Sequence, residues 1–420
     1  MKYNRTELAD NTGFSTVTDS KFKTNSLTIQ FMTELGSGAA DNAVGVSVLT
    51  TSTKKYNTLA KLSRRLSELY GATLSSSAKK VGDIQVLTVY ASWINNRYAL
   101  ENEDITAEML DIICESIFAP NAENGCFDAD SFEIAKKEIL DHIESEINNK
   151  RGYAISRASE TAFKGEPAQC ACYGNKETAE AVTAASSYEA YRRLILNAAI
   201  EIFYVAPEEN PLIEKRVGKE LARLDRKAVK CEFLKPSPVK QQPERVSDTL
   251  DVSQCKMVMS FKTDCRDECA VKLLSLIFGG TPVSKLFMNV REKLSLCYYC
   301  ACRTIASKSA LMVDCGIERE NIEKAEKEIL FQLDEIRNGN FTDEEVESAM
   351  LAIENALSAV GDTHSSYVSW YFDCICFGTV LTPEQKYELY KAVTRESIIK
   401  AAKETTLDSV YLMLNKEADQ

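Results

Sequence analysis

Histidine is scarce in this chain: among 420 residues only His142 and His364 occur, and they lie in different halves of the sequence. Imidazole is a common zinc ligand, so a histidine-rich metal site is excluded. No run of about 18 apolar residues is present, which argues against a membrane-spanning helix. Lysine and arginine total 50 against 62 aspartates and glutamates, giving a net charge of −12. Because there is also no basic stripe, the sequence disfavours nucleic-acid binding.

The first ten residues are polar and lack the apolar core of a secretory signal, so we expect a cytoplasmic protein. The chain has 14 cysteines, and three pairs of them have a one-residue spacing that is typical of one face of a strand. In a reducing compartment these cysteines are expected to be free thiols that pack as small hydrophobic side chains. Metal binding by the cysteines is the less favoured alternative.

Residues 234–245 contain three of the nine prolines, which indicates an irregular connection near the middle of the chain. This segment predicts an N-terminal domain at 1–233, a linker at 234–248 and a C-terminal domain at 249–420. One large mixed domain is the alternative, and it is less economical.

Each half has the same predicted order of elements: strand, helices, two strands, helices, strand. The repeat predicts an α+β protein of two homologous domains, each an antiparallel or mixed β-sheet packed with helices. Hydrophobic periodicity predicts the elements that matter below. They are strands at 27–32, 200–205, 256–261 and 410–414, and helices at 56–70, 103–118, 128–163, 267–278 and 364–377.

The segment 278–298 contains several local signals. Gly279-Gly280 follows an apolar helical run, and such a pair permits positive φ and ends a helix. Ser284 is a candidate N-cap for the next helix. That helix has a predicted buried stripe with Arg291 beside it, and the stripe consists of Leu286, Phe287 and Val290.

Arg291 and Tyr298 have two interpretations. One makes Arg291 a solvated helix charge and Tyr298 an aromatic of the strand core. In the other interpretation, the planar guanidinium of Arg291 uses its five donors to hold carbonyl or carboxylate oxygens. We favour the second, because the segment resembles a signature in the second domain of the pitrilysin/insulinase zinc peptidases, F-G-G-x-x-x-S-R-L-F-x-x-x-R-E-K-x-G-L-A-Y. The matching positions are Gly279, Gly280, Ser284, Leu286, Phe287, Arg291, Glu292, Lys293, Leu296 and Tyr298.

This resemblance implies that Arg291 and Tyr298 hold the backbone of a substrate beside a metal ion. In that family the zinc is bound in the first domain by an inverted H-x-x-E-H motif, and this chain has no such motif. Counting back from the family-like Leu69–Ala72 places Val48, Thr51 and Ser52 about where His, Glu and His would stand. The third ligand of the family matches a position at or near His142.

Valine has no lone pair and threonine is a poor zinc ligand, so no zinc or other cofactor is expected in this chain. Without the glutamate there is also no general base to activate a metal-bound water. His142 is then interpreted as a partly exposed helix residue and His364 as a residue at a helix start.

The resemblance extends over nearly the whole chain, and 143–157 and 253–259 resemble a zinc-less bacterial branch of the family. It implies two domains that close like a clam around a peptide. It also implies a catalytically deficient subunit that binds peptide or an extended protein segment. A zinc-bearing homologous partner would supply the metal in a heterodimer, and a homodimer is the alternative assembly. Two alternatives stay open: a stand-alone metallopeptidase with an atypical site, and a non-enzymatic scaffold of the same fold.

Overall fold

A computed structural model describes residues 1–416 and shows an α+β protein with two mixed sheets packed with helices, which confirms the predicted fold class. The chain forms two compact units. Unit 1 contains residues 1–144, 170–232 and 362–373, and unit 2 contains 145–169, 233–361 and 374–416. Each unit therefore includes a segment from the other half of the sequence.

The sheet of unit 1 has six strands in the spatial order β1-β2-β8-β3-β5-β4, and only β2 and β8 run parallel. Its strands are β1 (Lys2–Ala9), β2 (Thr12–Thr18), β3 (Thr24–Glu34), β4 (Thr73–Val81), β5 (Ile84–Ile94) and β8 (Ala199–Ala206). A separate short hairpin consists of β6 (Ala122–Glu123) and β7 (Cys126–Phe127).

The sheet of unit 2 has five strands in the order β11-β12-β10-β13-β9, and only β13 and β9 run parallel. Its strands are β9 (Glu244–Leu250), β10 (Cys255–Thr263), β11 (Cys297–Ile305), β12 (Ala310–Ile317) and β13 (Thr405–Asn415). This order and these directions repeat those of β4-β5-β3-β8-β2 in unit 1. The two sheets thus share one topology, with β1 as an addition in unit 1, and β4 and β11 occupy equivalent edges.

Helices cover these sheets, and none of those within residues 1–416 is both long enough and apolar enough to span a membrane. They are α1 (Ala39–Val48), α2 (Leu59–Glu68), α3 (Ile105–Phe118), α4 (Ala129–Ser145), α5 (Lys150–Ala162), α6 (Lys176–Ala181), α7 (Ala184–Asn197), α8 (Pro211–Leu221), α9 (Glu268–Gly279), α10 (Ile322–Arg337), α11 (Asp343–Ser358), α12 (His364–Cys376), α13 (Pro383–Lys391) and α14 (Arg395–Lys403), together with a π-helix at Leu286–Lys293. The predicted helical stretch 128–163 is in fact two helices, α4 and α5.

Helix α5 explains why residues 145–169 belong to unit 2. Its small residues Ala154 and Ala158 are buried at i, i+4 spacing and pack with Val258, Met312 and Tyr411 of the second sheet. Small side chains allow a helix to approach a sheet closely, so α5 covers one face while α9, α10 and α14 contribute to the core on the other.

The proline-rich segment has no regular secondary structure through Pro243, and β9 begins at Glu244. It is nevertheless held along unit 2. The backbone nitrogens of Lys235 and Ser237 donate to the carbonyl oxygens of Ser307 and Lys308, at 3.0 and 3.1 Å. The prolines prevent regular structure but leave these donors available.

A buried ionic cluster anchors the same segment. Asp408 has no exposed side-chain surface, and its carboxylate accepts hydrogen bonds from the backbone nitrogen and the Nζ of Lys240, each at 3.0 Å. The Nζ of Lys262 lies 3.9 Å from Asp408 and donates to the Ala162 carbonyl at 2.9 Å. Burial lowers the pKa of Lys262, and the charge of Asp408 opposes that shift. Asp408 therefore compensates two cations inside unit 2.

We predict that Asp408→Ala destabilises unit 2 by about 3–5 kcal/mol, because removal of one partner leaves buried charge uncompensated. Asp408→Asn should cost less, since it keeps the shape and an acceptor oxygen. The measurement is hydrogen exchange of β10 and β13. The control is Asp334→Ala, whose carboxylate is 55% exposed and pairs with Arg337; surface pairs contribute only about 0–1 kcal/mol. Equal effects of both alanine variants would contradict the structural role of Asp408.

Residues 362–373 pack within unit 1 through aromatic side chains. His364 is the first residue of α12, as predicted, and its ring meets the ring of Phe22 edge-on at 4.2 Å between centroids. The hydroxyl of Tyr367 donates to Asp19 Oδ2 at 2.9 Å, and Tyr371 stacks on Tyr3. Burial lowers the pKa of His364 to about 4.

We predict that His364 makes unit 1 acid-sensitive. The unfolded chain binds a proton near pH 6.5, whereas the folded chain does so only near pH 4, so its stability should fall as pH drops through this window. His364→Phe should reduce that loss by about 1–3 kcal/mol. Both tryptophans, Trp93 and Trp370, lie in unit 1, so tryptophan fluorescence during urea unfolding at pH 7 and pH 4.5 provides the measurement. Identical pH dependence in both proteins would exclude His364 as the cause.

Candidate functional site

Arg291 is presented by the π-helix that follows α9. Leu294 N donates to Asn289 O at 3.1 Å, the five-residue separation that defines this wider helix. Leu286 and Val290 bury its inner side. The Arg291 guanidinium lies over the Phe287 ring, 4.6 Å from its centroid, and the Arg291 side chain stays 40% exposed. The Arg291 Nη1 also lies 3.4 Å from Oε1 of Glu292, whose side chain is 51% exposed, so the cation sits at the surface in a solvent-exposed ion pair.

Tyr298 lies at a β-bulge on edge strand β11. In the pairing with β12, Cys297 is opposite Ile317 and Tyr299 is opposite Gly316, so Tyr298 is the extra residue. The bulge turns the residue outward, and Tyr298 is 67% exposed. The interpretation of Tyr298 as a strand-core aromatic is therefore wrong.

Gly279 positions this whole segment by close packing. A Cβ on Gly279 would lie 2.7 Å from the backbone nitrogen of Cys302 and 2.9 Å from its Cβ, so α9 can contact β11 only with glycine here. The predicted positive φ at the pair is wrong, because Gly280 caps the helix at φ −106°. Ser284 is not an N-cap either: its hydroxyl donates to Thr281 O at 2.6 Å, and the π-helix has no side-chain cap.

Val48, Thr51 and Ser52 lie at the end of α1 and in the turn after it, and all three are buried. The Thr51 hydroxyl donates to Ser47 O at 3.2 Å, which satisfies a carbonyl at the helix end. The Ser52 and Ser131 hydroxyls share a hydrogen bond of 2.7 Å. The polar groups of Thr51 and Ser52 are thus used by the local structure.

A solvent-open pocket of about 150 Å³ lies beside this helix. Helix α1, edge strand β4 and helix α4 contribute most of it, and Tyr173 adds a ring that lies 4.3 Å from the ring of His142. The lining residues are Ala43, Val46, Ser47, Ser76, Ser77, Ala78, Glu138, Ile139, His142 and Tyr173.

The structure therefore brings His142 together with Ala43, Val46 and Ser47, whereas Val48, Thr51 and Ser52 are not part of the pocket lining. Positions 43, 46 and 47 have the spacing of the first, fourth and fifth residues of H-x-x-E-H. Methyl, isopropyl and hydroxymethyl groups supply neither a zinc ligand of the usual kind nor a general base. Across residues 1–416 no group of three His, Cys, Asp or Glu side chains is arranged to hold a metal ion.

Edge strand β4 passes this pocket with part of its backbone directed away from β5. The Ala78 nitrogen donates to the Tyr173 hydroxyl at 3.0 Å, so the backbone groups of Ala78 point outward. Alternation along an antiparallel edge directs those of Leu74 and Ser76 to the same side. The outward backbone groups of Ala78 are already bonded to Tyr173 and Cys172, so those of Leu74 and Ser76 are the ones directed toward an added extended strand.

Comparisons with known proteins agree with this architecture. Residues 181–353 match the family described as "Peptidase M16 inactive domain". The "probable inactive metalloprotease YmfF" of Bacillus subtilis (strain 168) is 28% identical over 402 residues, covering 94% of each chain.

Solved structures give the same result for the fold. The crystal structure of a conserved protein from Enterococcus faecalis V583 superimposes with a TM-score of 0.92 and 25% identity over the full length of both chains. The structure of a peptidase M16 inactive domain from Pseudomonas fluorescens has a TM-score of 0.79 and 16% identity, covering 100% of this chain and 99% of that one. At this identity the second likeness concerns the fold alone.

We predict that the pocket can be converted into a zinc site. The triple variant Ala43→His, Val46→Glu, Ser47→His places two imidazoles on α1 facing Glu138 and His142 of α4, which meets the need for three protein ligands. It should bind one zinc ion per chain after dialysis, as measured by metal analysis. The matched control is Val48→His, Thr51→Glu, Ser52→His, which should bind none. Zinc in the control alone would show that the metal-motif register is the one counted from the sequence.

Proposed function

Since this chain belongs to the M16 peptidase family and is an inactive peptidase homologue within it, we propose that it binds an extended peptide and completes the site of a zinc-bearing homologous subunit. One observation carries the proposal: the positions with metal-motif spacing hold Ala43, Val46 and Ser47, while Arg291 and Tyr298 remain exposed. The side chains that zinc binding needs are absent from the pocket, whereas side chains that can bind a peptide backbone are present in unit 2.

The pocket supports the catalytic deficiency. Hydrolysis of a peptide by zinc needs a bound water that the metal acidifies and a base that takes its proton. Ala43 and Ser47 cannot replace two histidines, and Val46 cannot replace a glutamate. The alternative of a stand-alone metallopeptidase requires a ligand set that is not found among residues 1–416.

Arg291 and Tyr298 in unit 2, which we call the half-site, support peptide binding. A guanidinium donates in a fixed fork and suits carbonyl oxygens of an extended backbone, and a phenol hydroxyl can donate one further hydrogen bond. In unit 1 the outward backbone groups of β4 suit the same kind of ligand, because strand addition uses main-chain hydrogen bonds. A peptide ligand, rather than a nucleic acid, also agrees with the net charge of −12.

The chemistry of the pocket favours one kind of partner over another. A second copy of this chain would add another pocket without metal ligands, so a homodimer would remain inactive. A zinc-bearing homologue supplies the missing ligands and base, and for this reason we favour the heterodimer. Cytoplasmic location and closure of the domains around the peptide stay predictions. A non-enzymatic scaffold of the same fold is the second candidate.

We predict that Arg291→Ala weakens peptide binding at least about tenfold, because a charge-assisted hydrogen bond contributes about 1.5–3 kcal/mol. Tyr298→Phe should weaken it less, since only a hydroxyl is lost. The probe is dye-labelled peptides from reduced, carboxymethylated casein, measured by fluorescence anisotropy on the full chain. The matched control is Arg245→Ala, an arginine that is 57% exposed and pairs with Glu326 in the same unit.

The same variants are then co-expressed with a zinc-bearing homologue, and cleavage of the casein peptides is measured. Arg291→Ala should reduce cleavage by the pair in proportion to its effect on binding. Normal binding and cleavage in Arg291→Ala would refute the half-site and favour the scaffold. Insolubility of Arg291→Ala alone would show instead that the arginine is structural.

A further inference from the structure

Cys297 and Cys300 form a two-residue-spaced pair that brackets Tyr298 and Tyr299. In a regular strand, residues three apart point to opposite faces. The bulge at Tyr298 removes that alternation, so both cysteines are buried on the core side, 8% and 5% exposed, while Tyr298 points outward. The feature that presents Tyr298 therefore also brings two thiols together.

A third thiol lies next to this pair. Cys315 on β12 is directly opposite Cys300 in the antiparallel pairing. Interaction with the Cys297 and Cys315 thiols raises the pKa of the Cys300 thiol, and all three cysteines are free thiols in the structure. All three are buried, and Cys297 is the least buried of them, at 8% exposed against 5% for Cys300 and 0% for Cys315.

Cys297 differs electrostatically from other cysteines of equal exposure. The hydrogen bond from Cys300 lowers the pKa of the Cys297 thiol, and the nearby positive charge of Arg291 contributes to the shift. Cys265 and Cys302 are likewise 8% exposed. Burial raises the pKa of Cys265, and it raises the pKa of Cys302 to about 12. Thiolate character, which controls cysteine reactivity, is thus greater at Cys297 than at Cys265 or Cys302.

From this arrangement we propose that Cys297 and Cys300 are an oxidation-sensitive dithiol whose oxidant is a small peroxide. The Cys297 thiolate attacks one oxygen of hydrogen peroxide, the O–O bond breaks, and the departing hydroxide takes up a proton and leaves as water. Cys297 is then a sulfenic acid. The Cys300 sulfur attacks the Cys297 sulfur, the S–O bond breaks, and a second water leaves. Overall two thiols and one peroxide give one disulfide and two waters.

The disulfide would change the bulge. It closes a small ring that contains Tyr298 and Tyr299, and it restrains the backbone that now lets Tyr298 face solvent. The Cys297 thiolate near Arg291 is also lost. Oxidation should therefore alter the half-site, a consequence that rests on the proposed function, whereas the oxidation itself does not.

Thiol mapping on the reduced full-length protein tests the proposal without relying on variants. Iodoacetamide at pH 7 should label Cys297 at least about ten times faster than Cys265 or Cys302, because the thiolate is the nucleophile. After hydrogen peroxide treatment, peptide mapping should show a Cys297–Cys300 disulfide, with two of the 14 thiols lost and recovered by dithiothreitol. Equal labelling rates, or a disulfide from Cys300 to Cys315 only, would overturn the proposal.

Two variants test the order of the steps. Cys300→Ser should accumulate a dimedone-reactive sulfenic acid at Cys297, whereas Cys297→Ser should lose peroxide sensitivity in this segment. Cys265→Ser is the matched control and should behave like the parent protein. Casein-peptide affinity of the oxidised protein is then compared with that of the reduced protein. A confirmed disulfide with unchanged affinity would retain the dithiol and reject its link to the half-site, while failure of Arg291→Ala to affect binding would reject the half-site independently.

Discussion

The close approach of α9 to β11 at Gly279 is the constraint on which the candidate site in unit 2 depends. The helix reaches within contact of the Cys302 backbone, and any side chain at Gly279 would separate them. The chain between α9 and β11 contains the π-helix that carries Arg291 and the bulge that carries Tyr298. Gly279 therefore fixes the two elements that flank both residues.

The fold class could be predicted from the sequence because it depends on local patterns, whereas the role of Arg291 and Tyr298 stays a prediction. Strand periodicity at 256–261 and helical periodicity at 267–278 are strong signals, and β10 and α9 occur at those places. The glycine pair was interpreted by its freedom of φ, yet Gly279 is required for a contact between distant residues. A local sequence pattern does not show which residues far apart in the sequence will lie in contact. Strand β1 was missed because its residues are mostly polar at an exposed edge.

The position of the pocket could not be predicted for a different reason. Nine of the ten residues of α1 are buried, so the helix has no polar face whose period would identify the side toward the pocket. The predicted positions Val48, Thr51 and Ser52 depend on counting residues back from Leu69–Ala72. The irregular residues between α1 and α2 contain no sequence pattern that fixes this count. The pocket is lined by Ala43, Val46 and Ser47, which lie more than one helical turn before the predicted positions 48, 51 and 52. The packing of α5 against the sheet of unit 2 could not be predicted either, because it depends on contacts between residues that are far apart in the sequence.

The shared topology of the two sheets gives a physical reason why the two units can differ in the chemistry of their exposed side chains. Edge strand β4 in unit 1 and edge strand β11 in unit 2 are equivalent, so each unit can offer an extended edge whatever its side chains are. Metal ligands on a buried helix are costly without their metal, because desolvated imidazole and carboxylate groups lose their partners. With Ala43, Val46 and Ser47 at these positions that cost does not arise, and the helix packs with nine of its ten residues buried. Arg291 and Tyr298 also avoid the cost, since the Arg291 side chain is 40% exposed and Tyr298 is 67% exposed.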